Sequence, residues 1–317
     1  MTISNIEAVD ASEQQHSGLE TIESERKGDR RAGSLLVVPA MVGLGLFVVW
    51  PMADNFRLSL YDRRLTRAEA PFEGLQNWRS FLADESFRSS LGFTVLYATV
   101  TVTVSVALAL TLAMALVDRP VLRRLVGPVV LFPLATALVV ASVGWRFVFD
   151  LRGALNAALG VIGIDRVNWL NSTWNARLVV ILVGIWSMTG FALLLYQAAL
   201  AKIPAAVFEA AKVYDRWHGI RPKLALFVPL VSRTTVVAVV VSTIVTLRAF
   251  DHILAITEGG PNRATENLAF VAWQRSFRFY DLGEGAAASA ILVALVLGIA
   301  TTQILLLRRV SASESYA

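Results

Sequence analysis

Six stretches of predominantly apolar residues alternate with polar segments along the chain. They run roughly Ser34–Ala53, Leu91–Val117, Val126–Phe149, Leu178–Leu200, Leu224–Ala249 and Glu284–Leu307. Each is about 20 residues or longer, enough for a helix to cross the hydrocarbon of a bilayer. Inside lipid a backbone must satisfy its own N–H and C=O groups, so each stretch is expected to be helical. Pro39 and Pro51 are expected to kink or bound the first. Ala109 and Ala113 in the second form a small-xxx-small pair suited to close helix contact. The pattern predicts an all-α fold, a polytopic membrane helix bundle of about six transmembrane helices. Between the fourth and fifth stretches, Ile203 to Gly219 predicts a short helix of about two to three turns, with Pro204 in its first turn. Val207, Ala211 and Tyr214 share one stripe, Glu209 and Lys212 lie nearer the other side, and His218-Gly219 is expected to end it.

Composition strengthens the membrane reading. The 317 residues are 56% hydrophobic and 17% charged, against roughly 45–50% and 25% in soluble domains. The formal net charge is +5. Its positives gather near the apolar stretches: Arg26, Lys27, Arg30 and Arg31 before the first, Arg119, Arg123 and Arg124 after the second, Lys202 to Lys223 after the fourth, Arg308-Arg309 after the last. Positives in short loops face the cytoplasm, which places both termini there. No basic run interleaved with aromatics points to nucleic acid. There is no Cys, which excludes disulfides and thiolate chemistry. His16, His218 and His252 have no metal-ligand spacing. The expected organisation is a disordered cytoplasmic tail over 1–32, a membrane domain over 33–309 and a cytoplasmic tail over 310–317.

Glu209-Ala210-Ala211 follows Ile203-Pro204, and Gly219 and then Phe227-Val228-Pro229-Leu230 come after it. This resembles the EAA loop of the membrane-spanning subunits of binding-protein-dependent ABC importers. The family carries Asp-Gly-Ala soon after the alanines, whereas this chain reads Tyr214-Asp215-Arg216 and reaches its Gly at Gly219. Phe250-Asp251 ahead of Thr257-Glu258-Gly259-Gly260-Pro261 and Thr265, Trp145-Arg146-Phe147-Val148-Phe149-Asp150, Gly153-Ala154-Leu155-Asn156 and Gly74-Leu75-Gln76-Asn77-Trp78 resemble further motifs of the carbohydrate-uptake branch, the maltose- and glycerol-phosphate-type permeases.

The resemblance implies a permease subunit in a prokaryotic cell membrane, importing a sugar or related polyol delivered by an extracytoplasmic binding protein. It implies a second homologous permease and two ABC ATPase subunits that hold ATP and Mg; this chain lacks a Gly-x-x-x-x-Gly-Lys-Ser/Thr loop of its own. Glu209, Ala210, Ala211, Lys212, Asp215 and Gly219 would form the ATPase-docking loop. Phe250, Asp251, Gly259, Gly260 and Pro261 would form the opposite, periplasmic loop motif. Trp186, Thr189, Ser142 and Thr243 are candidates to line the solute path, because aromatic faces and hydroxyls suit polyhydroxylated ligands; hydrogen bonding within their own helices is the competing expectation. Arg146, the one charge in its apolar stretch, is expected to snorkel at an end beside Asp150, one turn away. The alternatives are a standalone secondary transporter or channel, which would need ionisable residues within the spans, and an intramembrane enzyme, for which neither His-Glu-x-x-His nor Gly-x-Ser-x-Gly is present.

Overall fold

The computed structural model describes residues 37–117, 119–213 and 220–313. The chain divides into two units, 1–57 and 58–317. The first contributes one long helix, α1 (Val37–Leu58). It runs through both of its prolines, with a π-helical turn at Gly45–Val49 just before Pro51. Pro51 cannot donate to the preceding turn and its ring crowds it, and the wider i→i−5 turn, closed by Trp50 N–H on the Gly45 carbonyl, relieves both. Phe47 and Trp50 are exposed, as suits a helix whose surroundings are apolar.

The second unit is helical. Its elements are α2 (Gln76–Ala83), α3 (Glu85–Leu116), α4 (Pro120–Ala135), α5 (Leu138–Val148), α6 (Ala154–Val161), α7 (Thr173–Leu200), α8 (Ala205–Val213), α9 (Ile220–Leu230), α10 (Ser232–Leu247), α11 (Asp251–Ile256), α12 (Leu268–Trp273) and α13 (Leu282–Ser313). Among the described residues, α1, α3, α7 and the Leu282–Leu306 part of α13 are each long and apolar enough to cross a membrane. Two bent pairs raise the number to six if each is one span.

Those pairs are where the structure departs from straight spans. The expected third span is α4 and α5, meeting at 118°, and the expected fifth is α9 and α10, meeting at 78°. Pro133 and Pro229 sit in the last turns of α4 and α9. Each removes a backbone donor and opens the ladder just ahead of the break. At the first break Thr136 is extended.

The core is organised around α3 and α7. Ala109 and Ala113 on α3 are buried with Ala192, Leu193 and Tyr196 of α7, so the small-residue pair does lie in a close helix contact. The Tyr196 hydroxyl reaches Thr235 of α10 at 3.0 Å. Gly190 lets the α4 backbone press onto α7: a Cβ there would stand 2.4 Å from the Val130 carbonyl oxygen. The segment between residues 58 and 84 folds onto α13 through polar contacts. Asn77 donates to the Ser59 and Tyr61 carbonyls at 3.0 and 3.1 Å, and Trp78 Nε1 donates to Ser59 Oγ at 3.1 Å. Arg64 lies between Asp62 and Asp281, at 3.0 and 3.1 Å, and the carboxylate of Asp281 foremost raises its pKa. The Gly-Leu-x-Asn-Trp motif therefore ties α2 to the turn at 59–61, and Arg64 joins the segment to Asp281 just ahead of α13.

Candidate functional site: a docking helix, a loop clasp and a cavity

The predicted short helix is present as α8, nine residues or two and a half turns. Val207 and Phe208 are partly buried and Ala211 is buried. Phe208 stacks on Phe227 of α9, with centroids 5.1 Å apart, and this contact holds the helix against the bundle. The opposite face presents Ala205, Ala206, Glu209 and Ala210, all exposed. Three methyl-sized side chains and one carboxylate leave the α8 backbone open to close approach by another surface. Asp215 and Gly219, and the side chain of Lys212, lie outside the described residues.

At the other end of α7 the Gly-Gly-Pro segment is tied down by its own polar groups. Thr257 and Thr265 share a hydrogen bond of 2.7 Å, and the Thr265 hydroxyl also lies 2.9 Å from the Gly260 carbonyl. Gly259 has φ +85°, and a Cβ there would meet Phe270 and Glu266 at 2.7 and 2.8 Å. Only glycine fits both the left-handed backbone and the space. Asn267 caps α12 through the Phe270 N–H and donates to the Ala249 carbonyl. The Thr94 hydroxyl of α3 accepts from Leu268 N–H at 2.9 Å. Arg177 of α7 donates to the Ala264 carbonyl at 2.7 Å while its guanidinium packs between Phe93 and Trp174. Arg263 pairs with the buried Glu266 at 2.7 Å.

Arg146 does not pair with Asp150. Its guanidinium lies 3.4 Å from Glu258 and 3.5 Å from the Ala255 carbonyl, at the end of α11. The Asp150 carboxylate instead accepts the Arg152 N–H in the turn that follows. The bend between α4 and α5 lays α5 along α11, so a neighbour distant in sequence replaces the local one.

Between the middle of α7 and the junction of α10 and α11 lies a cavity of about 240 Å³. Its polar lining is Tyr97, Ser187, Thr246, Arg248, Asp251 and His252. His252 is 2% exposed, and neither ring nitrogen has a hydrogen-bond partner among the described residues. Burial pushes its pKa down to about 4, so the imidazole is neutral at neutral pH. The Tyr97 ring lies 5.5 Å from it, and the Tyr97 hydroxyl rests where a Cβ on Gly184 would be, 2.3 Å away. Of the expected loop motif, Phe250 and Asp251 join this lining, whereas Gly259, Gly260 and Pro261 shape the clasp.

The four expected path residues are placed apart. Trp186 stands edge-on to Trp145, with centroids 5.4 Å apart, in an aromatic cluster with Phe149 and Trp169. Thr189 and Ser142 each donate to the carbonyl four residues back, both at 2.6 Å. Thr243 donates to the Val239 carbonyl and accepts from Gln303 at 3.0 Å, lining a separate crevice against α3 and α13. Sequence reasoning set His252 aside as a lone histidine and did not single out Tyr97. The available signal was that His252 directly follows the Phe250-Asp251 motif.

Comparison with known proteins places this geometry. No model of a known protein family matches the chain. The trehalose/maltose transport system permease protein MalF of Thermococcus litoralis is 30% identical over 269 residues, 83% of this chain and 88% of that protein. The chain belongs to the permease subunits of ABC sugar importers. The sn-glycerol-3-phosphate transport system permease protein UgpA of Yersinia pseudotuberculosis is 31% identical, covering 85% of this chain and 92% of that protein. A solved bacterial ABC transporter involved in the import of the acidic polysaccharide alginate shares the fold, with a TM-score of 0.73 at 20% identity over 87% of this chain and 94% of that one. Those relatives are transport permeases, and α8 and the cavity are the candidate sites on this chain.

Proposed function

We propose that this subunit forms one wall of the translocation path for a sugar or related polyol and passes ATP-driven motion to that path through α8. The observation that carries the reading is the two-faced α8, anchored by Val207, Phe208 and Ala211 and small and open around Glu209. That face would fill a cleft on an ATPase subunit, as an amphipathic helix fills a groove. Glu209 would offer a charge-assisted contact and Ala205, Ala206 and Ala210 the close packing, whereas Ala211, expected to dock, is buried on the inward face; Lys212, Asp215 and Gly219 would complete the loop. ATP and Mg would reside in the two ATPase partners. A second permease would supply the facing wall, and an extracytoplasmic binding protein would deliver the solute to the end that carries the Gly-Gly-Pro clasp, its Phe250 and Asp251 beside the entry. The α8 end and both termini would face the cytoplasm of a prokaryotic cell, in agreement with the positive loops.

The solute would rest in the cavity beside His252. At about 240 Å³, it holds roughly eight waters at ~30 Å³ each, room for one sugar ring. The Arg248 and Asp251 charges offset each other, and hydroxyls and a neutral imidazole complete a lining suited to an uncharged polyol. Trp186 adds an aromatic wall on the same helix, whereas Ser142, Thr189 and Thr243 are buried and bonded within the bundle and stand outside this cavity. Closure of the ATPases would draw the α8 loops together and swing the bundle between two arrangements, each open to one side.

The test is purification of the tagged chain from native membranes, followed by uptake in vesicles. An ATPase pair that travels with the wild type and is lost from Ala210→Trp supports the docking reading. A chain that purifies without any ATPase and still mediates uptake overturns it in favour of a standalone transporter.

A further inference from the structure

Beside α8 lies a wider concavity of about 710 Å³, formed by the last turns of α7, the Ile203-Pro204 link, the first turns of α8 and the start of α10. Its polarity is graded. Lys202, just past the end of α7, and Arg233, the second residue of α10, both line it at the ends of their helices, and both are exposed. Leu195 and Ala198 on α7 and Val237 on α10 form walls deeper in the bundle. At 1.5 Å per residue, Leu195 lies about 10 Å along the helix from Lys202, and Val237 about 6 Å from Arg233. Among the described residues no carboxylate lines the concavity, and none is paired with either cation.

We propose that this concavity binds an anionic phospholipid, its phosphate between Lys202 and Arg233 and its acyl chains along Leu195, Ala198 and Val237. Lysine and arginine only donate hydrogen bonds, and a phosphate only accepts them. Basic pockets between spans on the cytoplasmic side are suited to anionic headgroups, and the positive loops put this end of the bundle on that side. The gradient from charge at the mouth to hydrocarbon along the spans matches an amphiphile. An acidic side chain of a soluble ATPase could reach the two cations but not the apolar walls at span depth. An apolar helix of a second permease could cover the walls but would leave two cations without counter-charge, at a desolvation cost. The floor is Ile203, Pro204 and Val207, the link and the inward face of α8. Bound lipid would therefore brace the helix on which the docking reading rests, although the lipid site itself stands without that reading.

The test uses the whole importer in nanodiscs of phosphatidylcholine, with or without phosphatidylglycerol, and native mass spectrometry to count retained lipid. Wild type is expected to retain phosphatidylglycerol in preference to phosphatidylcholine. Lys202→Gln/Arg233→Gln is expected to lose one bound phosphatidylglycerol per copy, and Lys202→Arg/Arg233→Lys to keep it. Both positions are exposed, so the variants retain the fold. No preference in wild type, or equal retention by the double glutamine variant, overturns the proposal. Because the chain has no cysteine, Val237→Cys gives it a single thiol. Its cross-linking to a second permease or to an ATPase would make the concavity a protein interface and also overturn the lipid assignment. A double glutamine variant that loses lipid yet keeps full ATP-coupled uptake removes only the bracing role.

Discussion

The two ends of α7 are built on opposite plans. At the Gly-Gly-Pro end, Thr257, Thr265, Asn267, Arg177 and Arg263 bind loop carbonyls, hydroxyls and carboxylates to one another, and Phe270 is wholly buried beneath them. At the α8 end a short helix is held by an aromatic stack and a few apolar side chains, and it turns small residues outward. Polar groups saturated inside the fold make a part that keeps its shape unaided. A face of alanines with one carboxylate gains little by itself. The first end holds its shape by its own bonds beside the cavity, and the second is the end we propose as the handle.

The strongest way to break this contrast is Glu209→Lys. Charge reversal on the exposed face of α8 is expected to cut ATP-coupled uptake by at least about tenfold, the equivalent of ~1.4 kcal/mol or more at the interface, while the chain still inserts and purifies as a folded subunit. Retained uptake would show that docking runs through other residues. The converse change is Gly259→Val. A β-branched side chain at φ +85° that also meets Phe270 is expected to cost about 2–3 kcal/mol of stability. Limited proteolysis of the 258–267 segment reads this loss, with ATPase association preserved.

His252 supplies a pH-dependent test of the frame. Its pKa falls from 6.5 to about 4 on burial, so below pH 6.5 the unfolded state binds the proton that the folded state refuses. Stability is full above pH 6.5, falls as the pH drops toward 4, and loses roughly 3 kcal/mol in all. His252→Leu is expected to abolish that slope in thermal melts between pH 4 and 7, and to impair uptake if the ring contacts solute. A slope that survives the substitution would assign it to other groups. Asn267→Ala removes a helix cap and a bond to the Ala249 carbonyl and is expected to cost about 1–2 kcal/mol, seen as faster amide exchange in α12. Arg146→Ala marks the small end of the scale. Its pair with Glu258 at 3.4 Å is half exposed on both sides, so the change is expected to stay below about 1 kcal/mol in a melt.

Much of this plan was legible in the chain. The Ile203–Gly219 segment gives α8 its length and its inward Val207 and Ala211, because helical periodicity is a local property. The Ala109–Ala113 pair pointed to close packing for the same reason. The path residues were less legible. Hydroxyls such as Thr189 and Ser142 are equally at home bonding their own helix, and no local signal separates that role from a solute contact. Arg146 illustrates the limit: Asp150 was the nearest carboxylate along the helix, and Glu258, 112 residues away, is the one it meets.

By itself the sequence determined the apolar spans, the short amphipathic helix between the fourth and fifth, and the motifs that set the chain among importer permeases. Each follows from residue pattern over one or two turns, or from length against the thickness of a bilayer. The tertiary structure decided the 118° and 78° breaks, the partner of Arg146, and the burial of His252 against Tyr97. Those depend on which helices lie side by side, and that is fixed by packing between segments far apart in the chain, where a proline only permits a bend and a neighbour decides its direction.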